Sequence, residues 1–280
     1  MVKTICVCGA GTMGSGIAQV AAQAGFTTIQ YDLSEEMLER SKASIAKSLQ
    51  ALVTKGRMDE PTKEAALSRL NFTSNINDCI ADLVIEAIVE KLEVKVSLFR
   101  QLQHVNNAET VFATNTSSLP ITSIARELTN AKKVVGMHFF NPAPLMKLVE
   151  VVKGEQTSEE AVQVVYELAK QMGKTPVICK DAPGFIVNRV ARQYYLEAMK
   201  LVEAGLADIE TVDKVMEATG FKMGPFKLMD LIGMDINYGV SNIVWEALDK
   251  PERLTPSPLQ KQKVDAGELG RKTGKGFYDY

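Results

Sequence analysis

Two histidines occur in this 280-residue chain, His104 and His138. His138 closes a short apolar run, residues 134–138, that reads as a strand, and Phe139-Phe140-Asn141-Pro142 follows it. A histidine can give or take a proton near neutrality, so at a ligand-bearing strand end it suits carbonyl reduction or alcohol oxidation. It works best when a carboxylate holds its second nitrogen, which fixes the tautomer and stabilises the imidazolium. Glu150 lies on the next predicted strand, residues 148–152, close in topology. A strand-end histidine taken alone reads as a satisfied structural residue; the neighbouring acid turns the reading toward catalysis. His104 falls near the end of a polar helix and reads as solvated.

A second chemistry-bearing motif opens the chain. Gly9-Ala10-Gly11-Thr12-Met13-Gly14 has the spacing G-x-G-x-x-G, follows a predicted strand at residues 4–8 and leads into a helix. In that setting Gly9 allows a tight turn, Gly11 lets a pyrophosphate approach the backbone and Gly14 permits close helix packing. The helix N-terminus adds unpaired N–H groups and a partial positive charge. Asp32 ends the next strand, residues 27–31, where a carboxylate accepts from a ribose diol and repels a 2′-phosphate. These features predict NAD rather than NADP.

Two polar segments remain open in function. Thr114-Asn115-Thr116-Ser117-Ser118 follows another strand and can bond a substrate oxygen or the nicotinamide amide, or simply cap the helix near Pro120. Asn188 lies on the first helix after Gly184; it can meet the substrate, and taken alone it reads as a structural hydrogen bond.

The elements that must position these groups alternate along the first 180 residues. Further strands are predicted at residues 70 onward, 83–86, 111–114 and 175–178, with helices near 93–103, 120–128 and 158–172 between them. Between Asp32 and the strand near Leu70 two helical stretches occur, to about Lys55 and from Glu60 to Ser68, longer than an ordinary crossover needs. This inserted hairpin either reaches over a ligand or elaborates the fold. After Lys180, Asp181-Ala182-Pro183-Gly184 is a linker signal, and only helical patterns follow: 185–204, a helix capped by Asp208 and ended by Gly220, and 236–248. The expected architecture is an α/β, Rossmann-like doubly wound sheet with a helical-hairpin insertion over residues 1–180, and an all-α domain over 181–280.

Bulk properties fit that plan. The net charge is only −2 and no basic stripe is present, which argues against a nucleic-acid partner. No apolar run approaches the ~18 residues of a membrane span, and the N-terminal Met1-Val2-Lys3-Thr4 does not read as a signal peptide. Cys6, Cys8, Cys79 and Cys179 form no C-x-x-C pair or Cys/His cluster, so they read as small core residues in a reducing compartment, the cytoplasm, with no metal site.

Together GAGTMGSGIAQVAA, IEAIVEKLEVK, NTSSLPI, GMHFFNPAPLMKLVEVV, DAPGFIVNRV and GRKTGKGFYDY resemble the L-3-hydroxyacyl-CoA dehydrogenase family, and most closely its stand-alone bacterial 3-hydroxybutyryl-CoA members. The resemblance covers essentially the whole chain. It implies His138 as general acid/base, Glu150 as its orienting carboxylate, Ser117 against substrate and nicotinamide, and Asn188 near the substrate carbonyl. It aligns Asp32, Glu90, Lys95, Asn141 and Lys272 with cofactor contacts, and Ser48 and Lys55 on the inserted hairpin with coenzyme A contacts. It also implies an acyl-CoA substrate, L (S) stereochemistry and a homodimer formed through the helical domain. Two other readings stay open: a dehydrogenase of free hydroxy acids, against which Ser48 and Lys55 speak, and a non-catalytic dinucleotide-binding protein, against which His138 and Glu150 speak.

Overall fold

Short β-branched and apolar runs recur between amphipathic stretches through residue 181, and in the computed structural model, which describes residues 2–280, they pair into one eight-stranded sheet. Its strands are β1 (Thr4–Cys8), β2 (Thr27–Tyr31), β3 (Leu70–Thr73), β4 (Leu83–Glu86), β5 (Val111–Thr114), β6 (Val134–Phe139), β7 (Leu148–Lys153) and β8 (Thr175–Lys180). They lie in the order β3-β2-β1-β4-β5-β6-β7-β8. Pairing is parallel throughout except between β6 and β7, so β7 and β8 run against the other six. The order reverses between β1 and β4, and ligands of open α/β sheets bind outside the carboxyl ends at such a switch point.

The helices of this unit are α1 (Thr12–Gln23), α2 (Glu35–Thr54), α3 (Glu60–Leu67), α4 (Leu92–Val105), α5 (Ile121–Arg126) and α6 (Glu159–Gln171). The inserted hairpin is therefore α2 and α3. Side chains cap its two helices: Met37 N donates to Ser34 Oγ at 3.3 Å and Thr62 N to Asp59 Oδ1 at 2.9 Å. Ile45, Leu49 and Ala66 join Ile5, Val7, Ile17, Ile85 and Val165 in one buried core. The opposite sheet face meets α4 and α5, where Phe99 packs edge-on to Phe112 with ring centroids 5.6 Å apart.

Strand period and register decide which polar groups share that second face. Cys8 pairs with Glu86, Glu86 with Thr114, Thr114 with Gly136, and His138 with Glu150. Register partners point to the same side of a sheet, so Cys8, Glu86, Thr114 and Gly136 form one row across the strands, and the His138–Glu150 pair lies on the same face two residues farther along β6. Three strands outrun the sequence pattern by one or two residues, ending at Phe139, Lys153 and Lys180.

From Ala182 the chain forms a second compact unit, built from α7 (Val187–Glu203), α8 (Ile209–Ala218), α9 (Pro225–Ile232), α10 (Met234–Ala247) and α11 (Pro258–Asp265). The sequence pattern did not single out α9 and α11, which are short and carry proline in their first turns. Tyr195, Leu196, Met199, Phe226, Met229 and Val244 form the core of this unit. Two buried aspartates organise it. Asp213 accepts from Phe226 N and Lys227 N, at the start of α9, and from Tyr278 OH. Asp230 accepts from Phe277 N, Tyr278 N and Tyr280 OH, which fastens the last residues to α9.

Candidate active site

The loop between β1 and α1 is shaped by backbone touching backbone. A Cβ on Gly14 would stand 2.0 Å from the Gly9 carbonyl oxygen, and one on Gly9, whose φ is +107°, would stand 2.6 Å from Ala87 O. Around Gly11, by contrast, no atom lies within 4 Å of an added Cβ. Two glycines are thus required by packing and the third faces open space, the arrangement a phosphate needs above a helix N-terminus. Asp32 Oδ2 accepts from Ala10 N at 2.7 Å and Oδ1 from Ser34 N at 2.9 Å, so the carboxylate is locked beside the loop. A buried brace supports it from below: Gln30 Nε2 donates to Gly9 O and Ser41 Oγ to Gln30 Oε1.

A cleft of about 700 Å³ opens beside Gly9, Gly11 and Asp32. Leu33, Val89 and Val94 line it and are exposed despite being apolar. Apolar walls next to a carboxylate that can accept from a ribose diol suit the two ends of an adenosine, so the residues present fit a dinucleotide. Gly14→Ala is expected to force the two backbones apart, since overpacking costs about 1–3 kcal/mol, and to weaken NADH by roughly tenfold or more. Fluorescence titration checks this; an unchanged Kd would contradict the role given to Gly14.

The ends of β4 and β5 hold an ionic trio, two of its members buried. Lys95 Nζ lies 2.6 Å from Glu86 Oε1 and 3.1 Å from Glu90 Oε2. Glu86 and Lys95 are almost wholly inaccessible. Glu86 also accepts from Ile88 N at 2.7 Å and Thr114 Oγ1 at 2.6 Å. Glu90 Oε1 accepts from Thr116 Oγ1, Ser117 N and Ser118 Oγ. Burial pushes the Glu90 carboxyl up, but the Lys95 ammonium and the hydrogen bonds from Thr116 and Ser117 outweigh it and hold it below the usual range. The loop carrying Ser117 is therefore positioned by Glu90, Glu90 by Lys95, and Lys95 by Glu86.

His138 and Glu150 are direct cross-strand partners. His138 Nδ1 and Glu150 Oε2 are 2.8 Å apart, and both residues are buried. Nδ1 is thereby committed to the carboxylate, which fixes the tautomer and orientation of the ring. The end of β6 is fixed by Asn115 Oδ1, which accepts from Phe139 N at 2.8 Å, and the Phe140 ring leans on the imidazole at 4.5 Å.

Comparison with known proteins agrees with this geometry. The family profile described as "3-hydroxyacyl-CoA dehydrogenase, NAD binding domain" matches residues 4–182, and "3-hydroxyacyl-CoA dehydrogenase, C-terminal domain" matches 184–280. The chain belongs to the 3-hydroxyacyl-CoA dehydrogenase family. Its first unit is the family's NAD-binding domain. The "3-hydroxyadipyl-CoA dehydrogenase" of Escherichia coli K12 is 48% identical over 281 residues, covering 100% of this chain and 59% of that protein. The chain thus spans about three fifths of the length of that relative. The "probable 3-hydroxybutyryl-CoA dehydrogenase" of Deinococcus radiodurans is 44% identical, with 98% and 99% covered. Among solved structures, the (S)-3-hydroxybutyryl-CoA dehydrogenase of Ralstonia eutropha superposes with a TM-score of 0.96 at 37% identity, covering 100% of this chain and 99% of the other.

Not every residue singled out from the sequence gathers at these strand ends. Ser48 borders a separate cavity of about 330 Å³ between α1 and α2, with Arg40, Ser44 and Pro144; Lys55, the C-cap of α2, is exposed and does not line it. Asn141 is exposed in the loop after β6. Asn188 and Lys272 belong to the second unit, where Lys272 Nζ reaches both carboxylate oxygens of Asp235, at 2.5 and 2.6 Å. Sequence reasoning missed Glu86, although an acid closing a fully apolar strand run was a signal. It also missed Lys174, whose buried ammonium donates to Ala143 O and Met146 O and so pins the loop after β6. Burial, then the nearby Lys147, pull that ammonium down to about 8. All four cysteines are buried, and burial pushes the Cys179 thiol up to about 12, so it stays protonated and inert. No helix among the described residues is long and apolar enough to cross a membrane.

Proposed function

We propose that the chain catalyses the reversible NAD(H)-dependent oxidation of (S)-3-hydroxybutyryl-CoA, or a similarly short 3-hydroxyacyl-CoA, to the 3-ketoacyl-CoA. The observation that carries this reading is the 2.8 Å contact of His138 Nδ1 with Glu150 Oε2, held by strand register in a chain with an NAD cradle. In oxidation His138 Nε2 takes the 3-hydroxyl proton, and the Glu150 carboxylate stabilises the imidazolium so formed. NAD, when bound, supplies the acceptor for the C3 hydride. Ser117, set in place through Glu90, and Asn188 orient the reacting oxygen. Gly9, Ala10, Gly11, Thr12, Met13, Gly14 and Asp32 hold the dinucleotide, with Glu90, Lys95, Asn141 and Lys272 assigned to it by the family resemblance. Lys95 serves it by fixing Glu90.

Ser48 and Lys55 are assigned to coenzyme A; the cavity beside Ser48 supports the first of these. The relatives' names support the substrate class, since those from Deinococcus radiodurans and Ralstonia eutropha are named for 3-hydroxybutyryl-CoA. A homodimer through the helical unit is part of the reading, supported by exposed Val190, Leu206, Phe221 and Ile236; sedimentation tests it. Cytoplasmic location is supported by the four reduced, buried cysteines.

The deciding experiment follows loss of NADH absorbance with acetoacetyl-CoA, beside NADPH and free acetoacetate as controls. Turnover with NADH and the thioester, and little with either control, is the expected result. No turnover of any acyl-CoA overturns the proposal.

A further inference from the structure

The segment between β6 and β7, residues 140–147, is gripped by a side chain that the reaction described above does not use. The segment folds into a turn, with Leu145 N and Met146 N both donating to the Pro142 carbonyl at 3.0 Å. Ala143 is buried, but Leu145 and Met146 at the tip are exposed, so apolar packing does little to fix it. Lys174 reaches it from the turn between α6 and β8. Its Nζ donates to the Ala143 carbonyl and, at 3.0 Å, to the Met146 carbonyl. The base of this arm is firm: Gly173 N donates to Lys170 O at 2.8 Å and Lys174 N to Ala169 O at 2.9 Å, which seats Lys174 on the last turn of α6.

Lys174 is 8% exposed, and both of its acceptors are neutral. Among the described residues no carboxylate pairs with it. Lys147, whose own Nζ donates to Gly173 O at 3.4 Å, acts on it from the head of β7. On α6, Lys170 and Glu167 pair with each other, and α1 carries no ionisable side chain. A buried ammonium held only by carbonyls is a costly way to fasten a turn.

The same segment rests on α1. A Cβ on Gly16 would stand 3.0 Å from Pro144 Cδ and 3.1 Å from Ala143 Cβ, so only glycine lets the two come this close without displacement. Gly16 and Pro144 both border the cavity of about 330 Å³ that Thr12, Ser44 and Ser48 also line. A shift of Pro144 therefore changes the width of that cavity directly.

We infer that Lys174 is a positioning residue for the coenzyme A end of the substrate: it holds Ala143 and Pro144 against Gly16 and thereby sets the width of the cavity that receives that end. The inference rests on the proposed assignment of Ser48, and of the cavity with it, to coenzyme A. A wall fixed in advance spares the ordering that a loose segment would need on binding. The acyl end is served separately, because the end of β6 is tied to Asn115 rather than to Lys174.

The test compares kcat/KM for acetoacetyl-CoA and for acetoacetyl-N-acetylcysteamine, which carries the same acyl group without the nucleotide end. In Lys174→Met the ratio of the two falls about tenfold, as the loss of hydrogen bonds from a charged donor implies. The fall lies in KM for acetoacetyl-CoA, while kcat changes by less than about threefold for either thioester. Lys174→Arg, which keeps the charge and can span two carbonyls, keeps most of the ratio. A general loss of stability affects both substrates alike and leaves the ratio unmoved.

The unmodified protein gives a second readout. Burial, then Lys147, bring the ammonium down to about 8, so between pH 7 and pH 9 its hydrogen bonds lose their charge. The ratio should fall by about threefold over that range, and stay level in Lys174→Arg. Enolisation of the thioester and any proton handled in the reaction are common to both substrates. A ratio unchanged in Lys174→Met overturns the inference, as does a fall shared equally by the two thioesters; if that variant does not fold, a ratio that stays level from pH 7 to pH 9 in the unmodified protein overturns it. Ser48→Ala separates the failures. A ratio lowered there but not in Lys174→Met removes this inference alone, a ratio lowered in neither removes the coenzyme A assignment of the cavity as well, and absence of turnover with every thioester removes the proposed reaction and the inference with it.

Discussion

Replacing His138 with glutamine is expected to lower kcat for acetoacetyl-CoA reduction by about 10²–10⁴-fold, the usual worth of a positioned general acid. Glutamine fills similar space and keeps a hydrogen bond toward Glu150, but its amide does not exchange a proton near neutrality. KM should change little, because the lost interaction is one made as the proton moves. NADH should bind almost as before, since the glycine loop and Asp32 are anchored to each other and to β2 rather than to β6. Stopped-flow or steady-state rates together with an NADH titration give both quantities. Turnover close to that of the unmodified protein would remove His138 from the proton-transfer role.

The largest expected effect on stability comes from Lys95→Met. The substitution leaves Glu86, previously 2.6 Å from the ammonium, as a buried carboxylate without its cation, and takes from the more exposed Glu90 its partner at 3.1 Å. Breaking a buried pair by removing one partner costs about 3–5 kcal/mol, a fall in Tm of roughly 10 °C for a unit of this size. The double variant Glu86→Gln/Lys95→Met should recover much of the loss, because the remaining amide can still accept from Thr114. Calorimetry on the unmodified protein, the two single variants and the double variant closes the cycle, and additive losses would show that the pair is not coupled. The sign of the pH dependence follows from Glu90. Its carboxyl is held below the usual range in the folded chain, so its contribution is complete above the ordinary glutamate range and is lost as pH falls through the lowered value. In Lys95→Met that acid-side loss should shrink.

Much of this was legible because period and spacing carry it. The first strand, the glycine loop, α1 and Asp32 follow from local rules, and the helical hairpin announced itself as a crossover too long for its purpose. The His138–Glu150 proximity was readable only as topology; that the two face each other depends on β6 and β7 being antiparallel and in one particular register, which long-range pairing decides. The ionic trio was hidden for a related reason. Lys95 on α4 looks like any lysine on an amphipathic helix until α4 is laid over β4, and Glu86 then becomes its partner.

The strand register at His138 and Glu150 also has an evolutionary consequence. The two side chains meet because a ladder aligns them, not because the eight residues between β6 and β7 have a given length or composition. That connection, residues 140–147, includes Asn141 and the Pro144 that borders the cavity beside Ser48, and it is pinned separately by Lys174. Insertions or exchanges there can reshape what the protein admits without disturbing the His138–Glu150 pair. The fold thus separates two traits that selection, or a protein engineer, can vary independently: loop grafts between relatives should transfer preference while leaving the inherited chemistry in place.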